Sequence, residues 1–358
     1  MIITNHEQLA TLCATLQGQA AIGLDTEFLR ERTYYAQLCL LQLGLPGTAA
    51  CVDTLALDDL AALRPAMAAA STCKVLHAAR QDLEVLWPAV GAITPVFDTQ
   101  VAAALTGMPA QAGYAQLCQQ VLGVTLAKAQ TRTDWSRRPL SAEQIEYALD
   151  DARYLLPLAE QLRERLTRLG RLHWFDEEMA ELSAAGSFVI EPEQAWRRLR
   201  GLSDLDPLRQ RLAQGLAAWR ERRAIDSDRP RGWILPDAAL REIILRVPRN
   251  AADLERIPDL PEGIRVRSGP HLLEIIAAEQ PPARLPDLPQ RRRPEPAQVD
   301  AVKRLAGVLQ QAGRDTGLAP ELLATRRELE QLVDGARDVA PLTGWRRGII
   351  GERLLQAL

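Results

Sequence analysis

Residues 20–28 read AAIGLDTEF and residues 35–44 read YAQLCLLQLG. Both are short apolar runs, the second rich in leucine, and the polar stretch LRERTY lies between them. AACVDTL (49–55) and CKVLHAA (73–79) fit two more strands, with an Ala- and Leu-rich helix from Leu57 to Ala70 between them. Strands alternating with helices predict an α/β domain whose sheet is substantially parallel. Past Asp98 the pattern turns helical. Ser141 suits the N-cap of a run from Ala142 to Leu169, with Gln144 at the capping-box position and Gly170 as the stop. Pro157 falls inside that run and should kink or divide it.

Chemistry-bearing residues fall on these elements in three separated motifs. Alternate strand residues share a face, so Asp25 and Glu27 project together from the end of the first run, with Thr26 turned away. Two carboxylates so placed repel unless a cation holds them. Asp82, in HAARQDLEVL (77–86), sits near the start of a helix after CKVLHAA, where helix-terminus charge is its ordinary explanation. Tyr147 and Asp151, in EYALDDARYLL (146–156), are one helical turn apart on one face. Asp150 points about 100° away and is the poorer candidate. Hard oxygen ligands in a carboxylate cluster are what paired divalent cations require for phosphodiester hydrolysis. Other conspicuous residues have plainer readings: His77 as a core histidine, Asp98 as a cap for the helix beginning at Thr99, Trp135 as core beneath Tyr147. Arg30, Arg32, Tyr34 and Tyr35 read equally as contacts for phosphate and base or as a solvated loop.

The chain of 358 residues has net charge −3, but residues 1–190 carry −7 and residues 191–358 carry +4. An acidic front that wants cations is joined to a mildly basic rear that could meet phosphates. No run reaches the roughly 18 apolar residues of a membrane span, and MIITNHEQLA lacks the basic start and apolar core of a signal peptide. The five cysteines form no CxxC pair, which argues for reduced thiols in a cytoplasmic protein rather than a zinc site or a disulfide scaffold. From Glu191 onward helical pieces alternate with proline. Six prolines between Gln280 and Ala297 mark a linker, and Arg291 to Arg293 within it read as a solvated charge run. Long helices ending at Asp226 and Asp315, each followed by Pro-acid (Pro236-Asp237, Pro320-Glu321), suggest a duplicated small helical domain.

In combination, the DxE strand, the later Asp and the YxxxD helix resemble the tyrosine-bearing branch of the DEDD exonuclease superfamily. LDTEFLRERTYYAQLCLLQL (24–43), LHAARQDLEVL (76–86), FDTQVAAAL (97–105) and TRTDWSRRPLSAEQIEYALDDARYLLP (131–157) resemble ribonuclease D family segments, and the rear units resemble HRDC domains. The resemblance implies a ribonuclease H-like α/β exonuclease domain followed by two small all-α (HRDC-like) domains. The expected boundaries are exonuclease 1–175, helical connector 176–204, first HRDC domain 205–282, Pro-rich linker 283–296 and second HRDC-like domain 297–358. It implies metal binding by Asp25, Glu27, Asp82 and Asp151, with Tyr147 positioning the water. It further implies two divalent ions, Mg²⁺ or Mn²⁺, and release of 5′-mononucleotides from RNA 3′ ends such as those of tRNA precursors. The expected protein is a monomer with no membrane partner. A DNA-directed 3′→5′ exonuclease and a non-catalytic RNA-binding adapter are the alternatives. No polymerase or helicase segment accompanies the chain, against the first, and all five site residues are present, against the second.

Overall fold

The computed structural model describes residues 1–127, 133–184, 188, 191–278 and 295–358. The expected Pro-rich linker, with Arg291 to Arg293, lies almost wholly outside the described residues. Two compact units form. The first comprises Met1–Leu29, Leu38–Phe188 and Pro294–Leu358; the second comprises Arg30–Gln37 and Val189–Arg293.

The first unit is built on six strands: β1 (Ile2–Ile3), β2 (Ala21–Leu29), β3 (Gln37–Leu45), β4 (Thr48–Asp53), β5 (Cys73–Leu76) and β6 (Val96–Asp98). Their order across the sheet is β1-β4-β3-β2-β5-β6. β1 with β4, β2 with β5 and β5 with β6 pair in parallel. The sheet is nonetheless mixed, because β3 and β4 pair antiparallel through the turn at Pro46-Gly47. Gly47 takes φ +75°, the positive value that a tight turn after proline demands. The two-residue strand β1 is too short to register as a period in sequence.

Helices cover the sheet: α1 (His6–Leu16), α2 (Arg80–Val90), α3 (Thr99–Leu105), α4 (Ala142–Arg153), α5 (Leu155–Arg168) and α6 (Leu172–Ala184). α4 begins as its sequence predicts. Ser141 Oγ accepts from Gln144 N at 3.2 Å, and Gln144 Oε1 accepts from Ser141 N at 2.7 Å. The long predicted run divides at Tyr154, where Pro157 has no N–H to continue the ladder from Arg153. Gly170, at φ +68°, closes the second half.

The end of α4 lies directly on the sheet. A Cβ on Gly44 would come within 2.3 Å of the Ala152 carbonyl oxygen, and one on Gly23 within 3.1 Å of the same atom. Only a bare backbone on both strands lets the helix descend this far, and this approach brings its functional face to β2.

The second unit contains α7 (Pro207–Asp226), α8 (Asp237–Arg246) and α9 (Glu262–Ala278), and the C-terminal segment contains α10 (Pro296–Thr316), α11 (Arg326–Val333) and shorter helical pieces up to Ala357. As the sequence suggests, the described residues after 191 hold no strand, and each rear segment opens on a long helix, of 20 and 21 residues. The C-terminal segment shares the core of the sheet domain: Leu305, Leu309, Trp345 and Ile350 pack in one cluster with Phe97, Phe175 and Met179. Trp174 stacks on Trp345 with centroids 4.8 Å apart, Glu178 pairs with Arg346 at 2.6 Å, and Arg171 donates to the carbonyls of Leu105 and Thr316. The five cysteines are free thiols.

Two outcomes follow. Gly44→Ala should destabilise the chain by about 1–3 kcal/mol, the cost of forcing a methyl into packed structure, read as a lower urea midpoint. Ending the chain at residue 293 should expose apolar core side chains, each worth about 1.5–3 kcal/mol when buried. A thermal melt should then show a lower, broader transition, whereas an unchanged melt would make the C-terminal segment a detachable module.

Candidate metal centre

β2 alternates as its sequence implies. Asp25 and Glu27 are half-buried on the face that α4 covers, while Thr26 is buried. α4 brings Asp151 to them. One carboxylate oxygen from each of Asp25, Glu27 and Asp151 lies within 4.8 Å of the others, a grouping able to hold a metal ion.

Asp82, on α2, is not part of that grouping of three, but its charge acts on Asp25 and Glu27, and it is buried at 7% exposure. Thr26 is not idle on its own face: its hydroxyl donates to Asp82 Oδ1 at 2.5 Å. Asp98 fixes where α2 begins. Its carboxylate accepts from the amides of Gln100 and Val101 at 2.8 and 3.3 Å, capping α3 as expected, and also from Ala78 and Ala79 at 3.1 and 2.8 Å. Ala78 sits at φ +56°, unfavourable for a residue with a Cβ, and this carboxylate holds the turn there.

Electrostatics mark the four acids off from ordinary surface carboxylates. Burial, then the charges of Asp82, Asp151 and Glu27, raise Asp25 well above its usual range. Burial, Asp151 and Asp82 push Glu27 up to about 8. Burial lifts Asp82 to about 6 against the pull of the Thr26 hydrogen bonds, and lifts Asp151 to about 6 against its contact with Tyr147. No basic side chain figures among these influences. Crowded hard-oxygen donors with no cationic partner among the described residues suit a divalent cation.

Tyr147 stands one turn before Asp151 and is half-buried. Trp135 stacks against it, centroids 6.1 Å apart and planes 27° apart, and is itself buried at 4% exposure. The loop carrying Trp135 is pinned by Arg138, which grips both Asp53 oxygens at 2.6 Å and donates to the carbonyls of Trp135 and Cys39. Burial first, then Asp151, raises the Tyr147 phenol, so it keeps its proton at neutral pH. Asp150 turns aside to Arg153, and its carbonyl accepts from the Tyr114 hydroxyl at 3.2 Å.

The remaining conspicuous residues lie elsewhere. His77 shares a hydrogen bond with Thr99 Oγ1 at 2.9 Å and packs 5.6 Å from the Tyr114 ring. Tyr34 belongs to the second unit, where its hydroxyl donates to Glu221 and Arg231 lies 4.6 Å over its ring. Its amide and that of Tyr35 donate to Asp228. Sequence reasoning passed over Thr26, Arg138 and Gly44, and saw only the cap in Asp98. Glycine inside a leucine-rich strand was the one local signal, since such a glycine often marks a close backbone approach.

The chain is similar to known proteins. A family model described as 3'-5' exonuclease matches residues 1–167, and one described as HRDC domain matches residues 209–276. The chain is 40% identical over 364 residues to Ribonuclease D of Granulibacter bethesdensis, spanning 99% of this chain and 91% of that protein. It is 37% identical over 347 residues to Ribonuclease D of Xanthomonas oryzae pv. oryzae, spanning 95% and 93%. The crystal structure of Escherichia coli RNase D, described as an exoribonuclease involved in structured RNA processing, matches with a TM-score of 0.87 at 31% identity, over 100% of this chain and 98% of that one. A Bifidobacterium adolescentis protein at 23% identity and TM-score 0.70 shares the fold. No helix of the described residues is long and apolar enough to cross a membrane.

The raised carboxyls have a measurable consequence without metal. Groups whose folded values exceed their unfolded ones bind protons more tightly when folded, so their stabilisation is complete below the ordinary carboxylate range and is lost as pH rises through 6 and 8. Melting temperature in EDTA should therefore fall between about pH 5 and 8. Asp25→Asn should flatten that fall and Mg²⁺ should reverse it; a flat profile for the parent chain would contradict the crowding.

Proposed function

We propose that the chain, which belongs to the ribonuclease D family of hydrolytic 3′→5′ exoribonucleases, holds two divalent metal ions, Mg²⁺ or Mn²⁺, with Asp25, Glu27, Asp82 and Asp151. The observation that carries this reading is the convergence of three carboxylates within 4.8 Å, with the charge of a fourth, Asp82, acting on them. When bound, such ions neutralise charge on the scissile phosphate and acidify the attacking water.

The chain's own residues do the rest. Asp25 and Glu27 act from a rigid strand, and Asp151 from a helix seated on glycines, so the ligand oxygens are set before substrate arrives. Thr26 keeps one Asp82 oxygen engaged and thereby orients the other. Tyr147 Oη, still protonated, offers one donor and its lone pairs; it orients the water rather than removing its proton. Water adds to the terminal phosphorus, the 3′ oxygen of the preceding nucleotide leaves and takes up a proton, and a 5′-mononucleotide is released. We infer RNA 3′ ends, those of tRNA precursors among them, as the substrate of a monomeric enzyme.

A gel tests the substrate. Purified chain with Mg²⁺, Mn²⁺ or EDTA, given 5′-labelled single-stranded RNA, matched DNA and a 3′-extended tRNA, should shorten both RNAs stepwise with metal and leave all three intact in EDTA. Preferential degradation of the DNA would favour the alternative of a DNA-directed 3′→5′ exonuclease. Asp25→Ala or Asp151→Ala should abolish turnover while the EDTA melt stays at or above that of the parent chain, because removing one of four crowded charges relieves repulsion. Tyr147→Phe should lower kcat by about 10²–10⁴-fold with metal affinity retained. Collapse of the affinity at unchanged maximal rate would instead make the hydroxyl a ligand.

A further inference from the structure

Gln42, in the middle of β3, is fully buried, and neither its Nε2 nor its Oε1 has a hydrogen-bond partner among the described residues. A carboxamide brings two donors and an acceptor, and native cores seldom leave all of them unused without a functional reason. Its neighbours on the same face explain why one would be needed here.

β2 ends at Leu29 and β3 begins at Gln37, and the two strands are adjacent in the sheet. So short a connection cannot make the crossover of about a dozen residues that parallel neighbours need, so the pair runs antiparallel. Gly23 and Gly44 lie opposite each other: a Cβ on Gly44 would sit 3.5 Å from the Gly23 Cα, and both glycines face the Ala152 carbonyl. Two residues further along each strand, on that same face, come Asp25 and Gln42. The β3–β4 ladder is unbroken from Leu40 to Leu45, so no bulge turns Gln42 to the other side. Cross-strand partners have Cβ atoms about 4.5–5.5 Å apart, within reach of a glutamine side chain. On its other side Gln42 is paired with Cys51, whose thiol is a weak partner for an amide. Asp25 has the complementary need. Three like charges act on it, opposed by a backbone hydrogen bond from Thr26 that favours its ionised form.

We propose that Gln42 is a positioning residue of the metal centre, its Nε2 donating to the Asp25 carboxylate oxygen turned away from the metal when divalent cation is bound. The proposal rests on the reading of Asp25 as a ligand given above. Outer hydrogen bonds of this kind orient ligating carboxylates, and their loss typically weakens metal binding about 10–100-fold.

Gln42→Met and Gln42→Leu remove the amide in two apolar shapes, and Mn²⁺ affinity read by electron paramagnetic resonance separates the outcomes from turnover. Both variants should melt in EDTA at or above the parent temperature, because an unpartnered buried amide is removed. Both should bind Mn²⁺ at least about tenfold more weakly, with KM for a single-stranded oligoribonucleotide unchanged at saturating metal. Parent-like Mn²⁺ affinity in either folded variant would overturn the proposal. So would unfolding of both, which would make the amide a structural group. Asp25→Asn, run alongside, keeps the two readings apart. If it too binds Mn²⁺ like the parent, the ligand assignment fails; if it loses binding while the Gln42 variants do not, only the role of Gln42 fails.

Discussion

Everything at the candidate metal centre depends on one close approach, that of the Ala152 carbonyl to the backbones of Gly23 and Gly44. Asp25 and Glu27 come from a strand and Asp151 from a helix more than a hundred residues later in the chain. Carboxylates on a strand and on a helix packed at ordinary distance would be separated by a layer of side chains. Removing two Cβ atoms from the sheet removes that layer where the helix ends, and the oxygens meet.

Bringing them together is unfavourable by itself. Burial holds all four carboxyls above their usual proton affinities, and the charges of the other acids add to it at Asp25 and Glu27. The surrounding structure has to over-determine their positions, and it does so by hydrogen bonds around the cluster. Thr26 holds Asp82, Asp98 holds the strained turn at Ala78 that launches α2, and Arg138 holds the loop whose Trp135 backs Tyr147. Each works through a group that touches the centre rather than touching it. A cation bound by these carboxylates would relieve the repulsion and so link folding to metal binding.

The C-terminal segment shows the same logic at a larger scale. Its sequence has the look of a second small helical module, and the helical pieces are there. Yet Leu305, Leu309 and Trp345 share a core with Phe175 and Met179, and Glu177 and Glu178 receive the Trp345 backbone amide and indole. An independent helical unit and one that completes another domain have the same local periodicity. What separates them is the partner of the apolar face, and periodicity is silent about partners.

Local order was legible in the residues themselves. Alternation in AAIGLDTEF placed Asp25 and Glu27 on one face, i,i+4 spacing placed Tyr147 over Asp151, and Ser141, Gln144, Pro157 and Gly170 marked where helices start, divide and stop. All of these follow from interactions within a turn or a strand, whose geometry the backbone dictates. The antiparallel β3–β4 pair, the bond from Thr26 to Asp82, the second task of Asp98 and the orphaned amide of Gln42 were not legible. A hydroxyl, a glycine or an amide acquires meaning from what the fold sets against it, often dozens of residues away in the chain. The sequence alone determined which groups could bind metal. Tertiary structure decided that they meet, because only packing across the sheet brings a strand, two helices and a pair of bare glycines to one place.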